Sequence, residues 1–233
     1  MPDRGLLERT GIEAAPLSGE RAPWTFSDAR WAQLTFEVSQ PAALAHLPAD
    51  AARPVPCYAR LFILDAAASP AGPIKLAALL TGGRFRMLPR NVLTDAIVDG
   101  PVAAVAAAFG SPFRAGRVTL TRTGQVVEAT VADGDSLLAT LTLPALRAVD
   151  PAMLRWDAWL GFAAEGADVQ LIEYTPEARP TEAFLSKNGE LDTPSTLART
   201  HLWRTFRNLN TISACYEEGT LTLSAPETQQ SIT

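Results

Sequence analysis

Lysine is nearly absent from this chain. Of its 20 basic residues only Lys75 and Lys187 are lysines, so any chemistry that needs a side-chain amine has two places to occur besides the amino terminus. Histidine is as scarce, at His46 and His201, which excludes a three-histidine metal centre and leaves little room for a His-centred triad. Cys57 and Cys215 have neither metal nor redox spacing and read as free, buried thiols in a reducing compartment. There is no basic excess. The net charge of −5 argues against nucleic acid as a partner, because phosphate binding needs a basic face. No apolar run approaches the length of a bilayer span and the amino terminus lacks a basic–apolar–small pattern, so no membrane partner is expected and the expected location is cytoplasmic. Gly82-Gly83 is too short for a phosphate cradle, and no dinucleotide fingerprint occurs; neither a cofactor nor a metal is expected.

What is present is a large core. Hydrophobic residues make up 47% of the 233 and charged residues 19%, which suits one folded unit over 24–233 behind a polar arm at 1–23. Leu34, Phe36 and Val38 alternate with Gln33, Thr35 and Glu37, the pattern of a half-buried strand. Pro41 opens a short helix that Pro48 ends. Tyr58–Leu64 and Ile74–Leu80 are strands, with Gly82-Gly83 as a hairpin-type turn. Val102, Val105, Ala106 and Phe109 fall on one helical face. Val118–Thr123, Gln125–Val131 and Leu137–Leu143 alternate between short Gly-containing turns, a hairpin pattern. Ala145–Trp156 is a linker or short helix. Asp168–Tyr174 and Gly219–Leu223 are further strands, and the Arg-rich stretch around Thr196–Phe206 is a helix whose arginines are solvated or ion-paired, with anion binding as the alternative. The fold class is therefore mostly β (α+β), an antiparallel barrel or sandwich with short flanking helices. Trp156, Trp159 and Phe162 read as core or as an interface between copies.

One segment is more specific. Asp95–Arg114 reads DAIVDGPVAAVAAAFGSPFR: an apolar run, Gly100-Pro101, a short small-residue helix, then a Gly-x-Pro turn at Gly110–Pro112. In order and spacing this resembles the signature of the acetoacetate decarboxylase-like superfamily. The resemblance implies a cone-shaped barrel with an interior pocket and an oligomeric assembly. In that family two adjacent lysines follow the turn, the first forming a Schiff base with a keto acid and the second lowering its pKa. Those positions are Phe113 and Arg114 here. Phenylalanine forms no imine and a guanidinium stays protonated. The family's pocket carboxylate falls near Leu76 and its N-terminal arginine at Glu37, so the chain resembles the scaffold without its chemistry.

The resemblance then distributes roles. Arg114, held in an apolar cavity, would clamp a carboxylate or stabilise an enolate; the other reading is a surface arginine past a turn. Phe113 would fill the vacated lysine volume or stack on a planar ligand, with Leu76 beside it. Glu173, on the strand VQLIEY where the family also carries a glutamate, and Glu37 are the candidate proton carriers; an outward partner for an arginine is the alternative for Glu173. Arg90-Asn91 would meet a carbonyl, or Asn91 is a turn residue. Ile74, Leu76, Ala78 and Leu80 share one strand face and Lys75 the other, which turns Lys75 away from the pocket; a register one residue different would place it inside as a relocated amine. The expected function is a lysine-independent enzyme acting on a small apolar carbonyl or polyketide-like compound, of the kind met in secondary metabolism, by enolisation, dehydration, cyclisation or retro-aldol cleavage. A hydrophobic small-molecule binder without chemistry is the first alternative, and a Schiff-base decarboxylase or aldolase using Lys75 the second.

Overall fold

A computed structural model describes residues 23–48, 51–85, 87–110, 112–165 and 168–224. The arm expected over 1–23 lies almost wholly outside these residues, as does Ser111 of the Gly-x-Pro turn. Seven strands close into a barrel: β1 (Trp24–Glu37), β2 (Tyr58–Ala68), β3 (Ile74–Phe85), β4 (Leu88–Asp99), β10 (Trp159–Glu165), β11 (Asp168–Ser186) and β13 (Asn210–Ser224). Their order around the ring is β10-β11-β13-β1-β2-β3-β4. Every pairing is antiparallel except the last, where Asn91 and Val92 of β4 run parallel to Trp159 and Leu160 of β10 and close the ring. Further along the same edge, Ile97 and Val98 pair in parallel with β5 (Arg114–Ala115). One edge of β4 is thus shared between two partners, and helix α2 (Val102–Phe109) crosses between them. The remaining helices among the described residues are short, α1 (Gln40–Leu44), α3 (Leu202–Thr205) and a 3-10 turn at Pro151–Met153, and the two-residue strand β9 (Arg147–Ala148) pairs with β11.

A second sheet lies against the outside of the barrel. Its order is β12-β8-β7-β6, formed by β6 (Arg117–Thr123), β7 (Val126–Asp133), β8 (Ser136–Leu143) and β12 (Glu190–Asp192). Val127, Ala129 and Val131 of β7 alternate inward and meet Leu34, Phe36, Leu61, Ile63, Ala77 and Leu79 on the outer barrel face. The opposite faces of the same barrel strands, with Trp31, Phe62, Leu64, Leu76 and Ala78, form a separate interior core. β1 to β3 are buried on both faces, and β2 and β3 are accordingly apolar on both sides of the pleat over most of their length.

Several expectations change accordingly. The polar face of β1, read as the solvated side, points into the lumen, where Gln33 and Thr35 are 5% and 8% exposed. Gly82-Gly83 is not a turn. Both lie inside β3, and a side chain at Gly82 would overlap the ring of Tyr58, 2.2 Å from where its Cβ would sit. Asn91 is a strand residue of β4, not a turn asparagine, and is completely buried. The helix expected at Thr196–Phe206 shrinks to the single turn of α3, and β13 begins nine residues earlier than Gly219. Among the described residues no helix is long and apolar enough to cross a membrane.

Gly110 ends α2 with φ +73°, and a Cβ there would lie 2.1 Å from the carbonyl oxygen of Phe162 on β10. The positive φ costs a side chain roughly 1–2 kcal/mol, and the carbonyl cannot retreat without breaking the closing strand. Gly110→Ala is expected to destabilise the fold by at least about 2 kcal/mol, read as a lower urea midpoint at unchanged slope. A midpoint equal to that of the parent protein would contradict this packing.

Candidate functional site in the barrel lumen

The lumen has an apolar end and a polar end. At the end capped by α2, the side chains of Phe26, Leu76, Ala78, Phe109, Phe113 and Trp159 enclose, with their neighbours, a cavity of about 20 Å3, room for little more than a water molecule. Phe113 reaches it because of β5. Pairing Arg114 with Ile97 and Ala115 with Val98 fixes the backbone, so alternation sends residue 113 inward and residue 114 outward. Phe113 packs on Phe109, which in turn meets Tyr174 edge-on at 5.3 Å. Leu76 and Phe113 both line the cavity.

Arg114 does not. Its guanidinium donates to Asp95 through Nε at 3.1 Å and Nη2 at 2.6 Å, and through Nη1 to Asp133. Asp95 is 4% exposed on the outer face of β4 and also accepts from Trp203 Nε1 at 2.7 Å. These carboxylates, Asp95 first, hold the Arg114 guanidinium above its ordinary value. Arg114 is a clamp between strands and is turned away from the cavity by the alternation that puts Phe113 in. Glu173 also faces outward. It pairs with Leu160, whose side chain packs outside the barrel, and accepts from Arg90 Nε and Nη2 at 2.8 and 2.9 Å. Arg90 and Glu173 thus form an outer-wall ion pair rather than two pocket residues. Lys75 lies on the outer face with Nζ 4.0 Å from Asp65, so the inward register is not adopted, and Lys187 is exposed. Glu37, the last residue of β1, is half-buried at the lumen mouth opposite Tyr58.

The interior does hold polar groups that the sequence reading missed. Glu217 of β13 sits beside Trp31 of β1 and is completely buried. Its Oε1 accepts from Trp31 Nε1 at 3.0 Å and Gln33 Nε2 at 3.5 Å, with the Cys215 thiol at 3.8 Å; its Oε2 has no partner. Burial pushes the Glu217 carboxyl above its ordinary value, while the donors from Trp31 and Gln33 pull it back. Burial also pushes the Cys215 thiol up to about 12, leaving it neutral. On the facing wall, both amide atoms of Asn91 and the indole N–H of Trp159 are buried without partners. Between the walls lies Trp156, whose ring meets Trp31, Phe62 and Trp159. Arg60, nearer the mouth, donates to Thr35 at 3.2 Å and Asp157 at 3.4 Å and leaves Nη1 buried and unpaired. Among the described residues, no three His, Cys, Asp or Glu side chains are grouped to hold a metal. One signal could have found Glu217: Glu217-Glu218 are adjacent within a strand, so alternation must send one of the two carboxylates inward.

A closed seven-stranded barrel flanked by a second sheet, with a lumen that narrows under a capping helix, is an architecture already seen in solved structures. An acetoacetate decarboxylase from Legionella pneumophila superposes with a TM-score of 0.75 at 16% identity, over 91% of this chain and 90% of that one. An acetoacetate decarboxylase-like enzyme from Sphingomonas wittichii RW1 gives 0.71 at 16% identity, over 91% and 94%. The enduracididine biosynthesis enzyme MppR complexed with pyruvate gives 0.70 at 15%, over 87% and 88%. No protein-family model matches the sequence, and no curated protein matches it. The chain has the acetoacetate decarboxylase-like fold.

Two stability measurements follow from the contrasting carboxylates. A raised carboxyl means that the folded state holds its proton more tightly than the unfolded state does. Glu217 therefore contributes stability that declines as pH rises from the ordinary value of 4.5 through the higher folded value. Glu217→Gln is expected to flatten that decline, seen in urea titrations at successive pH values. Asp95→Asn removes a buried partner of Arg114 and is expected to cost about 3 kcal/mol. Asp133→Asn, with a side chain 41% exposed, is expected to cost less than about 1 kcal/mol. Equal losses would show that Asp95 is not the anchor.

Proposed function

We propose that this protein is an enzyme acting on a small, mostly apolar carbonyl compound inside the barrel, and that it does so without an imine. The observation that carries the reading is the lumen itself, in which a small apolar cavity is lined in part by Trp159, whose indole N–H is one of several buried hydrogen-bonding groups without partners. A ligand with a hydrocarbon body and a carbonyl head matches both parts. The same fold in MppR has been seen with pyruvate and with the condensation product of pyruvate and imidazole 4-carboxaldehyde, which supports small carbonyl compounds as ligands of such a barrel. Against an imine stand the outward Lys75, the exposed Lys187 and the phenylalanine at position 113. The reaction class that remains is enolisation, or the dehydration, cyclisation or retro-aldol cleavage that enolisation opens. The charge-stabilising role expected of Arg114 and the proton-carrying role expected of Glu173 have no support in their outward placement; Glu37 keeps a place at the mouth. Self-association is part of the proposal, supported by exposed Met87 and Leu88 at the β3–β4 tip, 81% and 52% accessible.

The second reading, a binder without chemistry, is favoured by one observation: Leu76 and Phe113 stand where the resemblance places a carboxylate and the nucleophile. Small ketones separate the two. A ligand at 100 times its Kd adds about 2.7 kcal/mol of stability, visible as a raised Tm. Recovery of an altered compound, or of one that has taken up deuterium from heavy water, supports the enzyme, and recovery of a compound unaltered by either measure supports the binder. Borohydride added with the ketone is expected to leave the peptide containing Lys75 at its unmodified mass; an adduct there would restore the imine mechanism.

A further inference from the structure

We infer that Glu217 is the residue that moves the proton in this barrel, taking it from the carbon next to a ketone carbonyl. The inference rests on the small-carbonyl reading above and adds to it the catalytic group and the atom on which it acts.

The geometry of the carboxyl is asymmetric. Oε1 is held by Trp31 and Gln33, with the Cys215 thiol at its edge, which fixes the orientation of the group. Oε2 is equally buried and makes no hydrogen bond, with the indole of Trp156 a further donor beside the carboxyl. A buried carboxylate oxygen left open is costly, and native proteins rarely carry one without a use for it. In the ring order, β13 and β4 are separated by β11 and β10 on one side and by β1, β2 and β3 on the other, so Glu217 and Asn91 stand on facing walls. Asn91 Nδ2 and Trp159 Nε1 are donors without acceptors. They suit a carbonyl oxygen, and the open Oε2 suits the acidic C–H beside it. Trp156 lies between the walls, in an extended stretch before β10 that belongs to no strand, and a ligand reaching both walls must displace its ring.

The step balances without a co-reactant. Ionised Glu217 accepts the proton at Oε2; the C–H electron pair becomes the C=C bond of the enolate. The carbonyl π pair moves onto oxygen, where the N–H groups of Asn91 and Trp159 meet the developing charge. The proton then returns from Oε2 to carbon or oxygen. Burial strengthens the base. The titratable groups around it leave this assignment clear. Cys215 stays neutral, and Arg60 is countered by Asp157. Tyr216 and Glu218 lie on the outer face with Arg30 and Arg122, and Glu182 and Asp65 are also on that side.

The test uses hexan-2-one as the probe in heavy water, with deuterium uptake at the carbons flanking the carbonyl followed by mass spectrometry. The parent protein is expected to exceed buffer by about a hundredfold, with a rate that rises with pH through one ionisation above 4.5. Glu217→Gln is expected to fall to the buffer rate and lose that ionisation, and Glu128→Gln, exposed on β7, to behave as the parent. Exchange by Glu217→Gln at the parent rate and pH profile overturns the assignment and leaves the carbonyl reading standing; a parent protein no faster than buffer overturns both. Should Glu217→Gln fail to fold, Trp31→Phe removes one donor from Oε1 and is expected to raise the pH midpoint of exchange. A midpoint that stays put overturns the inference.

Discussion

The carboxylate of Asp95 collects four donors from parts of the chain far apart in sequence: two from Arg114, one from Trp203 and one from the backbone N–H of Ala96. A charge buried to this depth is tolerable only when its lone pairs are filled. Here they are filled by β5, by α3 and by β4 itself, while Arg114 reaches on to Asp133, the last residue of β7. The second sheet, the terminal helix and the short parallel strand are thus referred to one point on the barrel wall. The position of Phe113 in the lumen follows from that anchor, because β5 has only two residues and little ladder of its own to hold it.

Glu217 is the counterpart on the inside. Both carboxylates are nearly inaccessible, and both accept from an indole N–H. The difference lies in saturation. Asp95 faces a guanidinium and has a donor on each oxygen; Glu217 accepts on Oε1 only, from neutral groups, and burial is the largest influence on its carboxyl. Arg90 with Glu173 and Arg30 with Asp65 follow the outer pattern. Arg60 with Asp157 is the exception, an ion pair at the lumen mouth.

Much of the fold was legible in the periodicity of the sequence, and the site was less so. Alternation marked β2, β3, β6, β7 and β8, and DAIVDGPVAAVAAAFGSPFR pointed to the barrel with its capping helix. The same alternation misled at β1. Gln33, Thr35 and Glu37 are polar because the lumen is partly polar, and a period of two does not say which side of a strand is solvent. Gly82-Gly83 resembled a turn because glycine serves two needs, a positive φ and close approach; here the need is room for Tyr58. Arg114 and Glu173 were read as pocket residues because a barrel interior was expected at their strands, and one residue of alternation separates inside from outside. Glu217 and Trp159 face one lumen only when β13, β1 and β10 close a ring, a long-range event with no local signature.

The two-residue strand β5 separates what the fold requires from what the chemistry requires. The backbone of residues 114 and 115 is tied to Ile97 and Val98 by main-chain pairing, and the Arg114 side chain is committed to the wall. Neither tie depends on the identity of the side chain at position 113. That position is a socket, presented to the cavity at a fixed place and angle whatever fills it. The side chain there can change while both ties of β5 to the wall stay in place, so the lining of the cavity and the closure of the barrel are separately adjustable.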